Sequence, residues 1–259
     1  MSHSVSPLTH PALAGLRHGF FTRQGGVSTG DFAGLNCSLN GRDDPALVRQ
    51  NRALAMRAIC VAPTALFGLH QVHGRDIAVL GEAGWPEDAR PQADGMVTRR
   101  RDVCLGIVTA DCGPVLFADS AAGVIGACHA GWRGAMLGVL EATVGAMCGL
   151  GATASGISAV IGPCIRQPSY EVGPDLHAEV LAQGASAERF FVPSQRPGHW
   201  QFDLPGYCAA RLAALGLGVV ADIGADTLAE PERFFSYRRS WLAGALPIGH
   251  QLSAIALQG

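Results

Sequence analysis

The order of apolar and polar positions divides the chain into short buried segments separated by glycine and proline. Three apolar runs, Val103–Thr109, Pro114–Ala118 and Val124–Cys128, follow one another with turn residues between them. Runs of that length, bounded by breakers, predict strands buried on both faces. Further strands are predicted at Gly19–Thr22, Asp76–Leu80, within "ADGMVT", and at Ile157–Ile161, Val219–Ile223, Phe234–Tyr237 and Ser253–Leu257. Between Ala135 and Cys148 the period changes: Met136, Val139, Leu140, Thr143, Val144 and Met147 fall on one face of a helix. Other helices are predicted over Pro45–Ile59 behind Asp43 and Asp44, over Leu176–Gln183, and from the N-cap Asp203 to Gly216. Strands and helices mix without repeat or linker, so the expected fold is one α+β domain, mixed sheets flanked by helices. Met1 to about Pro11 reads as a loose arm, which places an arm at 1–18 and the domain at 19–259.

Composition narrows the classes of function. The formal net charge is −2 over 259 residues, which gives no electrostatic footprint for nucleic acid or an anionic membrane. Every fixed positive charge is an arginine, because the sequence has no lysine. Schiff-base chemistry and a P-loop lysine are therefore excluded, and arginine must recognise any phosphate or carboxylate. The eight cysteines are widely spaced and form no CxxC. No basic-then-apolar leader opens the chain and no apolar run is long enough to span a bilayer, so a reduced, cytoplasmic protein is expected.

Candidate chemistry gathers at "TADC" and "HAGWRG", with "HQVHG" upstream. Cys112 and His129 each stand at the end of an apolar run. If those runs are neighbours in one sheet, the two side chains emerge together. Such a pair can generate an activated thiolate, whereas a Cys-His-His set can bind zinc and leave a position open for water or substrate. A third reading makes Cys112 an ordinary buried thiol beside an unrelated histidine. The two histidines of "HQVH" would share a face only on a helix; the flanks read as strand, so His73 is the candidate and His70 a hydrogen-bonded structural residue. Cys37, Cys60, Cys104, Cys128, Cys148 and Cys208 read as small apolar fillers, and Cys164 in "GPCI" stays open.

The stretches "GFFTRQGGVSTGDFAGLN", "NRALAM", "HQVHG", "ADGMVT", "TADCGPVLFAD", "ACHAGWRG", "IGPCI", "YEVG" and "FFSYRR" together resemble the bacterial YfiH family, from about Gly19 to Leu257. Its members have been called laccase-domain or polyphenol oxidoreductase proteins, and also purine nucleoside phosphorylases. The resemblance implies that His73, Cys112 and His129 hold a metal: zinc, or copper on the oxidase view. It implies phosphorolysis of adenosine, inosine and methylthioadenosine, with deamination of adenosine, and hence a purine nucleoside and phosphate as partners of a monomer or weak homo-oligomer. It also implies a fold similar to the catalytic domain of cytotoxic necrotizing factor, a toxin that deamidates glutamine through a Cys-His pair. Under this reading Arg23 and Arg133 are candidates for phosphate, and Asn36 and Asp111 for ribose or base, Asp111 alternatively orienting a ligand. Copper-dependent phenol oxidation and a metal-free amide hydrolase acting in cell-wall precursor editing are the alternatives; the chain lacks the H-x-H pairs of blue multicopper oxidases. One segment departs from the family: Asp226 stands where a cysteine is expected, and "SWLAGALPIGHQ" replaces the usual acidic and "TGR" continuation after the double arginine.

Overall fold

In the computed structural model, which describes residues 4–258, the apolar runs form two stacked sheets with helices on both outer faces. In chain order the elements are β1 (Arg17–Phe20), α1 (Pro45–Ala58), β2 (Leu66–Phe67), β3 (Ile77–Val79), β4 (Gly95–Thr98), β5 (Cys104–Thr109), β6 (Gly113–Asp119) and β7 (Val124–Ala130). They continue with α2 (Trp132–Leu137), α3 (Val139–Gly149), β8 (Ser158–Ile161), β9 (Glu171–Val172), α4 (Pro174–Leu181), β10 (Phe191–Pro193) and β11 (Trp200–Phe202). The last elements are α5 (Leu204–Ala214), β12 (Val219–Asp222), α6 (Tyr237–Leu242) and β13 (Gln251–Ala256).

One sheet runs β1-β13-β5-β2 and the other β12-β8-β6-β7-β4-β3, both mixed; a small antiparallel sheet, β10-β11-β9, lies apart. The expected single-domain α+β class is what the structure has. Alternation along the strands explains the continuous apolar runs. Leu105 and Ile107 of β5 meet Ile125 and Ala127 of β7 in the layer between the sheets, while Cys104 faces Ala55 and Met56 of α1. Val124 and Cys128 of β7 point the other way, onto Val139, Leu140 and Met147 of α3. Both faces of each central strand are therefore dry.

Several expectations need correction. The helix foreseen over Ala135–Cys148 is two helices, because Gly138 adopts φ +98° and breaks the ladder between Leu137 and Val139. Phe234–Tyr237 is not a strand: Gln251 exchanges two side-chain hydrogen bonds with the Phe235 backbone in place of a ladder, and Ser236 caps α6 by accepting from Arg239. The N-terminal arm is packed rather than loose from Leu8, which bridges to Phe20, while Leu13 is fully buried. The boundary expected at 18/19 thus falls inside β1, although residues 1–3 of the arm lie outside the described residues. Cys60 and Cys148 are exposed, not fillers. Asp44 and Asp203 cap α1 and α5 as foreseen. No helix among the described residues is long and apolar enough to cross a membrane.

Candidate metal centre

β5 and β6 belong to different sheets, so the neighbouring-strand premise fails for the run that precedes Cys112. The residues converge by another route. Cys112 lies in the link between the sheets, immediately before β6, and β6 pairs antiparallel with β7 so that Gly113 faces Ala130 and Pro114 faces His129. That register sets Cys112 beside the end of β7. Asp111 makes the sharp turn with φ +83°, a conformation that side chains other than glycine resist.

His73 arrives from the loop after β2, also with a left-handed backbone, φ +60°. The donor atoms of His73, Cys112 and His129 lie within 4.8 Å of one another, and the two imidazoles meet edge to face with centroids 4.6 Å apart. No other group of three or more metal-ligating side chains is found among the described residues. His73 is exposed, Cys112 half-buried and His129 buried, so the cluster opens on the His73 side. Gly131 forms its wall: a Cβ there would lie 2.9 Å from Cys112 Sγ and 3.1 Å from His73 Nδ1. His70 is exposed and enters no side-chain hydrogen bond among the described residues, unlike the structural role expected of it.

Sequence reasoning missed the residue that organises the cluster. Asp94, 0 % exposed, accepts hydrogen bonds from the backbone N–H groups of Val72 (3.1 Å), His73 (3.0 Å) and Gly74 (2.6 Å). It also lies 2.8 Å from His129 Nδ1. With its carboxylate ionised, Asp94 accepts the Nδ1–H in this hydrogen bond and leaves Nε2 free to ligate, the arrangement in which a carboxylate orients a ligating histidine. Burial pushes the Asp94 carboxyl up, but His129 and the turn amides outweigh it and hold it below its ordinary range. The same balance governs the pair it supports. Burial raises the Cys112 thiol, yet His129 and His73 bring it down to about 6; burial lowers His129, but Cys112 and Asp94 turn that into a rise. The only sequence signal for Asp94 was its place ahead of a strand in "ADGMVT".

The other candidates are placed differently. Asp111 is buried and its carboxylate accepts from Thr227 Oγ1, Ser236 Oγ and the Arg238 N–H, which ties the "SYRR" segment to the loop that carries Cys112. Asn36 is 0 % exposed: it donates to Asp43 and accepts from the Ser38 and His250 amides, and buried in this way it does not face a ribose. Arg23 donates to the carbonyls of Ala33 and Pro231 and stacks over Phe235. Arg133 alone among the four is exposed, lying over the Trp132 ring in the first turn of α2, just after His129. Cys164 is buried, and Asp226, which bridges to it, accepts from Ser169, Leu228 and Ala229 to shape the adjacent turn. His250 is a further residue that spacing did not reveal. Burial, then the nearby His129 and His73, push its imidazole down to about 4, and its buried Nδ1 has no hydrogen-bond partner among the described residues.

The family model described as multi-copper polyphenol oxidoreductase laccase, Cu-oxidase_4, matches residues 17–258. The chain belongs to this family. Within the laccase-like family, it is 40 % identical over 258 residues to a Streptomyces griseus protein named purine nucleoside phosphorylase ORF3, covering 95 % of this chain and 96 % of the relative. A Deinococcus radiodurans protein named purine nucleoside phosphorylase is 39 % identical over 234 residues, 90 % of this chain and 87 % of the relative. Among solved structures, a Neisseria meningitidis protein of family-model DUF152 superposes with a TM-score of 0.87 at 32 % identity, covering 99 % and 100 % of the two chains. The Bacillus licheniformis protein YfiH gives 0.86 at 27 % identity, covering 93 % and 92 %. The relatives' names point to an enzyme that processes nucleosides.

Proposed function

We propose that this protein is a zinc-dependent purine nucleoside phosphorylase acting on adenosine, inosine and methylthioadenosine, with adenosine deaminase activity at the same centre. The observation that carries the reading is the Asp94-oriented His-Cys-His cluster, open on one side, in a chain whose relatives bear the phosphorylase name. The donor set fits zinc. One thiolate and two imidazoles are borderline-soft ligands, and three protein ligands leave the fourth position for substrate, as catalytic zinc sites do. His73, Cys112 and His129 would hold the ion, which when bound supplies Lewis-acid polarisation of an oxygen at that open position.

The chain's own residues do the remainder. Asp94 holds His129 in the ligating tautomer and fixes the turn that carries His73. Arg133, exposed beside the cluster and without a protein acceptor among the described residues, is the candidate to bind phosphate for attack on the anomeric carbon. Copper-dependent phenol oxidation is the weaker reading, since one cluster of three donors does not make several copper sites. A second reading is favoured by one feature: the depressed Cys112 thiol beside His129 could serve a metal-free amide hydrolase.

The deciding experiment incubates metal-replete protein with adenosine and phosphate without oxygen. Release of adenine with ribose 1-phosphate, and of inosine, is expected, together with loss of bound zinc in His73→Ala. If neither base nor inosine appears, the proposal fails. Amide hydrolysis that survives chelation but not Cys112→Ser would establish the second reading instead.

A further inference from the structure

Asn51 and Arg52, adjacent on α1, have opposite surroundings. Asn51 is 0 % exposed and fully engaged, accepting from Val27 and donating to Ser28 and Asn36. Arg52 is half-buried, yet among the described residues its guanidinium enters no ion pair and no side-chain hydrogen bond. The acid on the same side, Glu87, is taken by Arg49 at 2.9 Å. Gly68 makes room for the group, since a Cβ there would lie 3.2 Å from Arg52 Nη2.

Beside Arg52 is a cavity of about 220 Å³. Arg90 lines it as well, with one side-chain bond, from Nη2 to Asn40 Oδ1. Phe67 and Trp85, edge to face at 5.7 Å, form an apolar wall, and Trp85 is pinned by donating to the Gly68 carbonyl. Thr64 adds a hydroxyl, and the Glu87 carboxylate, held by Arg49, also lines the space. An unpaired charge out of full contact with water is costly, and a native fold that keeps one generally supplies it with a partner. Two guanidinium forks around one small space match a tetrahedral dianion, which accepts from both. The volume is below the ~300–1,000 Å³ typical of sites for larger organic ligands, so a nucleoside does not fit the description. Burial lowers the pKa of both arginines, in the direction that a bound anion would reverse.

We propose that this cavity is a binding site for a small oxyanion of the phosphate class, held between Arg52 and Arg90 and separate from the metal centre, none of whose residues lines it. The site does not depend on the phosphorylase reading.

Calorimetric titration of inorganic phosphate tests it in the wild type and in Arg52→Gln, Arg90→Gln and His73→Ala. Binding that persists in His73→Ala and weakens about tenfold or more in both arginine variants is expected. Phosphate binding lost in His73→Ala but unchanged in the arginine variants would place the anion at the metal centre and overturn the proposal. So would no binding at all. Acetate serves as the planar control: if it binds through Arg52 and phosphate does not, the tetrahedral assignment is wrong. Should Arg52→Gln fail to fold by circular dichroism, Arg90→Gln decides alone, and unchanged affinity there refutes the site.

Discussion

Replacing Asp94 by asparagine removes a charge while keeping the side chain's shape, and the four hydrogen bonds at this residue set the cost. One carboxylate oxygen, Oδ1, serves the His73 amide at 3.0 Å and His129 Nδ1 at 2.8 Å. The other, Oδ2, serves Val72 at 3.1 Å and Gly74 at 2.6 Å. Asparagine has one oxygen, so one of these pairs must face an NH₂ group. If the NH₂ faces Val72 and Gly74, two part-buried N–H groups lose their acceptor, at ~0.5–1.5 kcal/mol each, or about 1–3 kcal/mol together. If it faces His129, Nδ1 must become the acceptor and the proton moves to Nε2, where it blocks the metal. Either orientation weakens the centre, and loss of such an orienting carboxylate costs ~10–100-fold in metal affinity. Competition for zinc against a chromophoric chelator, with thermal unfolding of the metal-free protein, measures both. Asp94→Asn with wild-type zinc affinity and unchanged unfolding would refute the reasoning. The sign in acid is set by the depressed carboxyl. Its contribution is complete above the ordinary carboxylate pKa and is lost as pH falls through the lower folded value, so wild type should lose its advantage over Asp94→Asn only in strong acid.

Three further outcomes are expected. Gly131→Ala places a Cβ 2.9 Å from Cys112 Sγ, so zinc affinity should fall at least ~10-fold while circular dichroism stays unchanged; an unaffected affinity would show that the wall is soft. In metal-stripped protein, alkylation of Cys112 followed by mass spectrometry should rise with a midpoint near pH 6, the thiolate being present above it; a midpoint at the ordinary ~8.5 would remove the thiolate–imidazolium pair. Gly162→Ala drives a Cβ into the Phe20 ring between the two sheets, and should lower stability to denaturant by ~1–3 kcal/mol with the His-Cys-His cluster intact.

The sequence made legible whatever depends on local period or on a local cap. The apolar runs became β5, β6 and β7, and Asp44 and Asp203 begin their helices as their neighbours require. Cys112 and His129 were legible as residues at the ends of apolar runs, though they meet through the β6–β7 register and not through β5. Asp94 was not. Its meaning depends on β4 pairing with β7, which sets Gly95 opposite Cys128 and lets the His129 N–H donate to the Asp94 carbonyl at 2.7 Å. That is a tertiary register that no single segment encodes. Asn36 shows the converse limit: a polar residue beside a glycine-rich loop looks available, but its amide instead holds the backbone of His250, far along the chain. At Gly138 the apolar spacing continues through the residue while the backbone does not, so periodicity alone reads one helix where there are two.

The link at Asp111 and Cys112 carries the chain from one sheet to the other, and it bears on how the protein matures. Each donor comes from a different stretch: the loop from β2 to β3, the link from β5 to β6, and the end of β7. An unfolded chain therefore never offers His73, Cys112 and His129 together, and it holds no CxxC that would gather a thiolate pair locally. A metal ion held by all three donors would need both sheets docked first. Its loading would then be a late event of assembly, a clasp closed across the seam between two halves that have already found each other.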